Sequence, residues 1–225
     1  IEEIEAMKAA FVHGAVVLRE AGYDGVEVHA ASGHFLNTFL CPFMNRRTDK
    51  YGGSMENRLR LVLEIIDDVR KAVGNDYTVG VRVCGDEFFD GGYTLDDMVG
   101  MARIIGPKVD YISVSTGTYR SLHTLIPSMY YPLGCFVHCA AAIKAAVNVP
   151  VICAGRINDP VQAEEILEGN QSDFIGMCRA LIADPQWPAK AQEGRLEEIR
   201  KCIACNEGCY GRRRDPRGIT CAVNP

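Results

Sequence analysis

The chain has 225 residues, 48% hydrophobic and 24% charged, with a formal net charge of -5. That length and balance suit one sizeable globular core and exclude disorder as the default state. With no long basic run, they also exclude an electrostatic footprint for nucleic acid or an anionic membrane surface, and the short Arg212-Arg213-Arg214 run is read as a solvated or cysteine-flanking patch.

No apolar stretch approaches the roughly 18 to 20 residues of a membrane span. The opening Ile1-Glu2-Glu3-Ile4 reads as helix rather than signal peptide, which predicts an internal N-terminus. Ile4, Met7, Phe11, Ala15 and Leu18 recur at steps of three and four, predicting one apolar helix face up to about Ala21 and a stop at Gly22. A short strand follows at Gly25–His29, then a polar stretch from about Ala30 to Gly53 with the character of a long functional loop.

Leu59, Val62, Ile66, Val69 and Val73 mark the next helix, and Thr78–Val83 the next strand. Thr94 is placed to cap a helix carrying Leu95, Met98, Ala102 and Ile105, after which Val109–Ser115 returns to strand. A helix over 136–146 leads to a strand at Val149–Ala154. Asp159-Pro160 then reads as a cap with proline at the first helical position. A last strand, Asp173–Met177, leads into the same signal at Asp184-Pro185.

Strands alternating with helices predict parallel βαβ units and an α/β fold. An open doubly wound sheet stays in view, although the Gly-x-Gly-x-x-Gly turn expected of it is absent. Polar residues gather at the C-terminal ends of the predicted strands: His29, Arg82, Ser115, Gly155 with Arg156, and Arg179. In a (β/α) barrel that end is the active-site mouth. Eight strands take about 250 residues, so five predict a partial TIM (β/α)8 barrel whose first three strands lie upstream.

Ten cysteines in a chain of ordinary core composition argue for a reducing, cytoplasmic setting rather than a disulfide scaffold. Four of them are bunched as Cys202-x2-Cys205-x3-Cys209-x11-Cys221. Such a set can hold a 4Fe-4S cluster, three thiolates coming from a tight loop and the fourth from a longer one. A structural zinc site is the alternative, although zinc modules more often use two separated pairs. The expected division is residues 1–195 as barrel and 196–225 as cluster-binding segment.

The segments Gly22-Tyr-Asp-Gly-Val-Glu-Val-His29, Phe39-Leu40 and Asn45-Arg-Arg-Thr-Asp-Lys-Tyr-Gly-Gly-Ser-Met-Glu-Asn-Arg58 closely resemble the fourth strand and following loop of the Old Yellow Enzyme family. Arg82, Ala154-Gly155-Arg156-Ile157 and Met177-Cys178-Arg179-Ala180-Leu181-Ile182-Ala183-Asp184-Pro185 continue the match in order, so it covers essentially the whole chain as strands 4 to 8. The cysteine spacing is similar to that of the family's iron-sulfur subgroup, which includes 2,4-dienoyl-CoA reductase and trimethylamine dehydrogenase.

The resemblance implies FMN. Arg82 would meet the flavin N1/O2 edge, Gly155, Arg156, Cys178 and Arg179 would form the loops that cradle its phosphate, and Ser115 and Ala154 are further cofactor contacts. Cys178 departs from the family's usual Gly. Arg82 on a strand interior is costly unless an ion pair or anionic ligand compensates it. His29 is placed to contact flavin or the substrate's electron-withdrawing group. His34 stands where many relatives carry a proton-delivering Tyr, and is either a general acid or an exposed loop histidine. Tyr119 and His123 are further acid candidates or solvated loop residues.

The implied activity is NAD(P)H-driven reduction of an activated C=C bond in a small unsaturated carbonyl or thioester. The cluster would relay electrons to FAD and NAD(P)H in domains beyond this chain. An amine dehydrogenase, and a non-catalytic cluster-bearing electron-transfer module, are the alternatives. A piece of this extent is expected to be inactive alone and to retain FMN poorly, and an oligomer is compatible with the sequence.

Overall fold

Helices and strands alternate along the chain in the computed structural model, which describes residues 1–224. The order is α1 (Glu2–Glu20), β1 (Gly25–Ala30), α2 (Phe35–Leu40), α3 (Met55–Val73), β2 (Thr78–Cys84), α4 (Leu95–Ile105), β3 (Tyr111–Ser115), α5 (Leu122–Leu125) and α6 (Val137–Lys144). It ends with β4 (Val151–Ala154), α7 (Pro160–Glu168), β5 (Phe174–Gly176), α8 (Arg179–Ala183) and α9 (Trp187–Gln192). All five strands are parallel and lie in sequential order β1-β2-β3-β4-β5. A doubly wound sheet reverses its strand order part-way, so the sequential order settles the architecture as an arc of (β/α) barrel.

Side-chain alternation divides the arc into two faces. Val28, Val79, Val81, Val83, Ile112, Val114, Val151 and Cys153 are buried on the outer face, in one core with Leu59, Val62, Ile66, Met98, Ala102 and Ile143 of the helices. Burying such a side chain contributes about 1.5–3 kcal/mol. The inner face carries Glu27, His29, Gly80, Arg82, Tyr111, Ser113 and Ser115, with His29 paired to Arg82 and Gly80 to Tyr111 in register. A Cβ on Gly80 would sit 2.1 Å from the Tyr111 ring, so the close approach of that ring requires glycine.

Local signals start the helices where expected. Ser54 accepts from the Asn57 backbone N–H at α3, Thr94 and Asp97 form a reciprocal capping box at α4, and Asp159 accepts from Val161 N–H ahead of Pro160 at α7.

Three expectations are corrected. Of the proposed apolar face of α1 only Ile4 and Ala15 are buried, while Met7 is exposed. The expected loop over 30–53 contains α2, whose Leu36 and Leu40 reach the core. Asp184 does not begin a helix but ends α8, and α9 starts at Trp187. The Asp184 carboxylate instead accepts from Lys190 Nζ at 2.6 Å and from the backbone N–H groups of Arg200 at 3.0 Å and Gln186 at 3.1 Å. It thereby ties the start of the cysteine segment to the barrel. Among the described residues no helix is long and apolar enough to cross a membrane.

Candidate functional site

A cavity of about 450 Å³ opens at the C-terminal ends of the strands, and its wall gathers His29, Arg82, Ser115, Ala154, Gly155, Arg156, Cys178 and Arg179. Five strand ends separated by long stretches of sequence thus converge as the strand-end pattern predicts. Cys202, Ala204, Cys209 and Tyr210 close another side of the same cavity.

Arg82 is not the deeply buried cation expected of a strand interior. Its side chain is 37% exposed on the open inner face, and Nη1 stands 3.7 Å from Glu27 Oε1 on the neighbouring strand. Its Nε is nevertheless buried and without a partner. An N–H in that condition is a stored donor for an acceptor in the cavity. His29 lies beside Arg82 in register, and its pKa is lowered, first by burial and then by the nearby His34 and Arg82. A neutral imidazole, with one donor and one acceptor nitrogen, is therefore its form at neutral pH.

A row of rings runs from His29 toward solvent. His34 lies edge-on to His29 at 4.9 Å between centroids, and Tyr119 lies edge-on to His34 at 5.3 Å. Tyr119 Oη is 3.3 Å from His34 Nε2. Neither His34 nor Tyr119 belongs to the cavity wall itself, so they stand at its rim beyond His29. His123 is elsewhere, stacked on Tyr131 at 6.4 Å.

Buried hydrogen bonds fix the two loops of this row. Gly33 N–H donates to Asn37 Oδ1 at 2.6 Å, and Asn37 Nδ2 donates to Glu87 Oε1 at 3.3 Å and Tyr93 Oη at 2.9 Å. On the other loop, Thr118 N–H donates to Ser121 Oγ, which donates to the Glu87 carbonyl at 2.5 Å. Burial pushes the Glu87 carboxyl upward.

After β4, Gly155 adopts φ +140° and Arg156 φ +53°. The first conformation is open essentially to glycine, and such turns aim successive backbone N–H groups at an anion. Arg156 Nη1 donates to the Met129 carbonyl at 3.3 Å, while Arg179 Nη1 donates to the Pro127 carbonyl at 2.8 Å and Asn206 Oδ1 at 2.6 Å. Both arginines therefore grip the 126–129 strap while lining the cavity.

Cys202, Cys205, Cys209 and Cys221 line one small cavity with Arg179 on its wall. Burial raises the Cys202 thiol, opposed by the Ala204 N–H and the Arg179 charge. Among the described residues no three His, Cys, Asp or Glu side chains are grouped to hold a single metal ion.

Two polar residues here have no place among the residues expected from the sequence. Asn158 is buried, donates from Nδ2 to the Cys202 carbonyl at 2.6 Å and leaves Oδ1 without a partner. Asn206 joins Arg179 to the cysteine segment. The position of Asn206 directly after Cys205 is the one signal that could have exposed it.

The sequential parallel sheet, with its polar side chains gathered at the strands' C-terminal ends, defines a (β/α)-barrel enzyme represented by five strands. Residues 1–198 match the NADH:flavin oxidoreductase / NADH oxidase family, and the chain belongs to that family.

The chain is 45% identical to an NADH oxidase from Thermoanaerobacter brockii, over 100% of this chain and 35% of the relative. It is 42% identical to an N,N-dimethylglycine/sarcosine dehydrogenase from Chromohalobacter salexigens, over 99% of this chain and 33% of the relative. The structure of a 2-naphthoyl-CoA reductase complexed with 2-naphthoyl-CoA superposes with a TM-score of 0.93 at 37% identity, covering 100% of this chain and 34% of that one. The chain spans about a third of the length of these relatives.

Proposed function

We propose that residues 1–195 supply flavin-facing barrel strands and residues 196–225 a 4Fe-4S segment, in an NAD(P)H-driven reductase of activated C=C bonds of the enoate or dienoyl-thioester type. The observation that carries this reading is the shared cavity, whose wall holds both the flavin-type set around Arg82, Gly155 and Arg179 and two of the four cysteines, Cys202 and Cys209. A common wall supports a reading in which the two centres are neighbours, as electron relay requires.

The unpartnered Arg82 Nε and the positive-φ turn at Gly155 fit FMN, and the four thiols fit the cluster. FMN, when bound, supplies the hydride and single-electron chemistry. Arg82 offers a fixed cation and donor to an anionic edge, with Ser115 beside it on the same wall. Ala154, Gly155, Arg156, Cys178 and Arg179 would hold the phosphate, the arginines by charge and the glycine by admitting close backbone approach. Neutral His29 orients a substrate oxygen by donating one N–H. The His34–Tyr119 pair holds a proton at Tyr119 Oη or His34 Nε2 for delivery at the rim.

On this reading the substrate is a small unsaturated carbonyl or thioester, the protein is cytoplasmic, and FAD and NAD(P)H bind in the whole protein outside residues 1–225. Amine oxidation is the second reading, favoured by the identity to the Chromohalobacter dehydrogenase. A cationic amine calls for an aromatic enclosure. Besides His29, the described cavity wall offers only Phe136 and Tyr210 as rings, which supports the reductase.

Anaerobic mixing of the full-length enzyme with NADH or NADPH tests the assignment. Bleaching of the flavin, with recovery on adding an enoate or enoyl thioester, is expected. Bleaching by a methylated amine but by neither nicotinamide would overturn it. Iron and acid-labile sulfide near four each per chain are expected, and zinc in their place would refute the cluster.

A further inference from the structure

Asn206 occupies a left-handed position, φ +62°, directly after Cys205 and three residues before Cys209. Its side chain makes two contacts across the fold: Oδ1 accepts from Arg179 Nη1 at 2.6 Å, and Nδ2 donates to the Ile126 carbonyl at 3.2 Å. Its own carbonyl accepts from Gly211 N–H at 2.8 Å, closing the turn that carries Cys209. Arg179 makes its second contact, to the Pro127 carbonyl, through the same Nη1. The guanidinium is therefore pinned at one corner, and its Nε and Nη2 make no hydrogen bond to the described protein.

The strap between Ile126 and Met129 is held from both sides. Asn206, Arg179 and Arg156 donate to its carbonyls at 126, 127 and 129, and Met129 N–H donates to the Ala204 carbonyl at 3.1 Å. The cysteine segment, the strap and both cavity arginines thus form one hydrogen-bonded unit.

We propose that Asn206 is a positioning residue that turns the free edge of Arg179 toward the flavin phosphate, and so makes FMN affinity depend on a folded cysteine segment. The proposal rests on the flavin and cluster readings above. A fork whose corner is fixed offers its remaining pair of donors in a set direction, which is what bidentate recognition of a dianion needs. Asn206 holds that direction only while the Cys205–Cys209 turn is in place. By linkage, anything that orders this turn raises FMN affinity, and bound FMN stabilises the turn by the same factor.

Riboflavin, which lacks the phosphate, separates positioning from general damage. The full-length enzyme, stripped of FMN, is titrated with FMN and with riboflavin by flavin fluorescence, and iron is assayed in parallel. Wild type is expected to prefer FMN. Asn206→Ala is expected to lose roughly tenfold in FMN affinity, the scale of one oriented charge-assisted contact, with riboflavin affinity unchanged. Asn206→Asp retains an acceptor for Nη1 but sets a negative charge beside the phosphate site, and should weaken FMN at least as much. It decides the matter if the alanine variant does not fold. Cys209→Ser should lower the FMN preference along with the iron content.

An unchanged FMN-to-riboflavin ratio in the folded Asn206 variants, or an equal loss for both ligands, would overturn the positioning role. An FMN preference that survives loss of iron in Cys209→Ser would overturn the dependence on the cysteine segment. A wild type indifferent to the phosphate would instead sink the phosphate-site assignment, taking the proposal with it. These outcomes are distinguishable.

Discussion

Tyr119 Oη lies 3.3 Å from His34 Nε2, joining side chains 85 positions apart in sequence on the loops after β1 and β3. Each group can give or take a proton, so the pair can replenish whichever member protonates the substrate. On the proposed reductase reading, replacing Tyr119 with Phe or His34 with Ala should lower kcat of the full-length enzyme by about 10²–10⁴-fold, the usual scale of a lost general acid. The double variant should lose little more than the worse single one if the two act as a unit. Flavin reduction by NAD(P)H in stopped flow should be unaffected, and a matching loss there would show that the pair serves the other half-reaction.

Gly155 has φ +140°, a conformation that an L side chain adopts only under strain, while an added Cβ would meet Phe136 no closer than 3.4 Å. Backbone conformation rather than crowding therefore sets the effect of Gly155→Ala, at about 1–3 kcal/mol. The turn should relax and lose its aim at the proposed phosphate site. Purified Gly155→Ala is expected to carry less flavin at an unchanged iron content, read from the visible spectrum and an iron assay.

Burial lowers the pKa of His29 beneath its ordinary 6.5, with His34 and Arg82 acting in the same direction. Below pH 6.5 the unfolded chain therefore binds a proton that the folded one resists, and stability falls with pH until the lowered folded pKa is passed. Above 6.5 the group contributes no pH dependence. His29→Asn should flatten this part of the melting profile between pH 6.5 and 5, measured as Tm against pH beside wild type. An equally steep fall would show that other groups cause it.

How much of this is legible in the sequence depends on how local each cause is. Thr94 and Asp159 announce α4 and α7 because a cap acts within three residues. His29, Arg82 and Ser115 stand out because polar side chains interrupt apolar strands at one end. Helix α2 escapes because six residues are too few to display a helical period among the polar residues around it. The Asp184 cap signal misleads because its carboxylate is claimed by Lys190 and Arg200, contacts that no local pattern records. Asn206 and Ile126 meet across 80 positions, so the strap emerges only when the chain is folded.

The row of His29, His34 and Tyr119 depends on a residue that touches none of the three rings' polar atoms. Asn37 is fully buried and uses both ends of its amide, accepting from Gly33 N–H and donating to Glu87 and Tyr93. Gly33 precedes His34, and the Glu87 carbonyl anchors Ser121 and through it the Tyr119 loop. Asn37→Ala would leave the Gly33 N–H without its acceptor and take a donor from the Glu87 carboxylate. A fully buried orphaned group costs about 1–3 kcal/mol, and the half-buried Gly33 N–H and the Glu87 carboxylate, which still accepts from Tyr93 N–H, cost less each. Because 1 kcal/mol moves Tm by about 2–4 °C in a domain of this size, a drop of several degrees is expected. The loops should then separate enough to lengthen the Tyr119–His34 contact. The signature is a lower kcat for the proposed alkene reduction with flavin content retained, whereas a fall in Tm with full kcat would reduce Asn37 to a core residue alone.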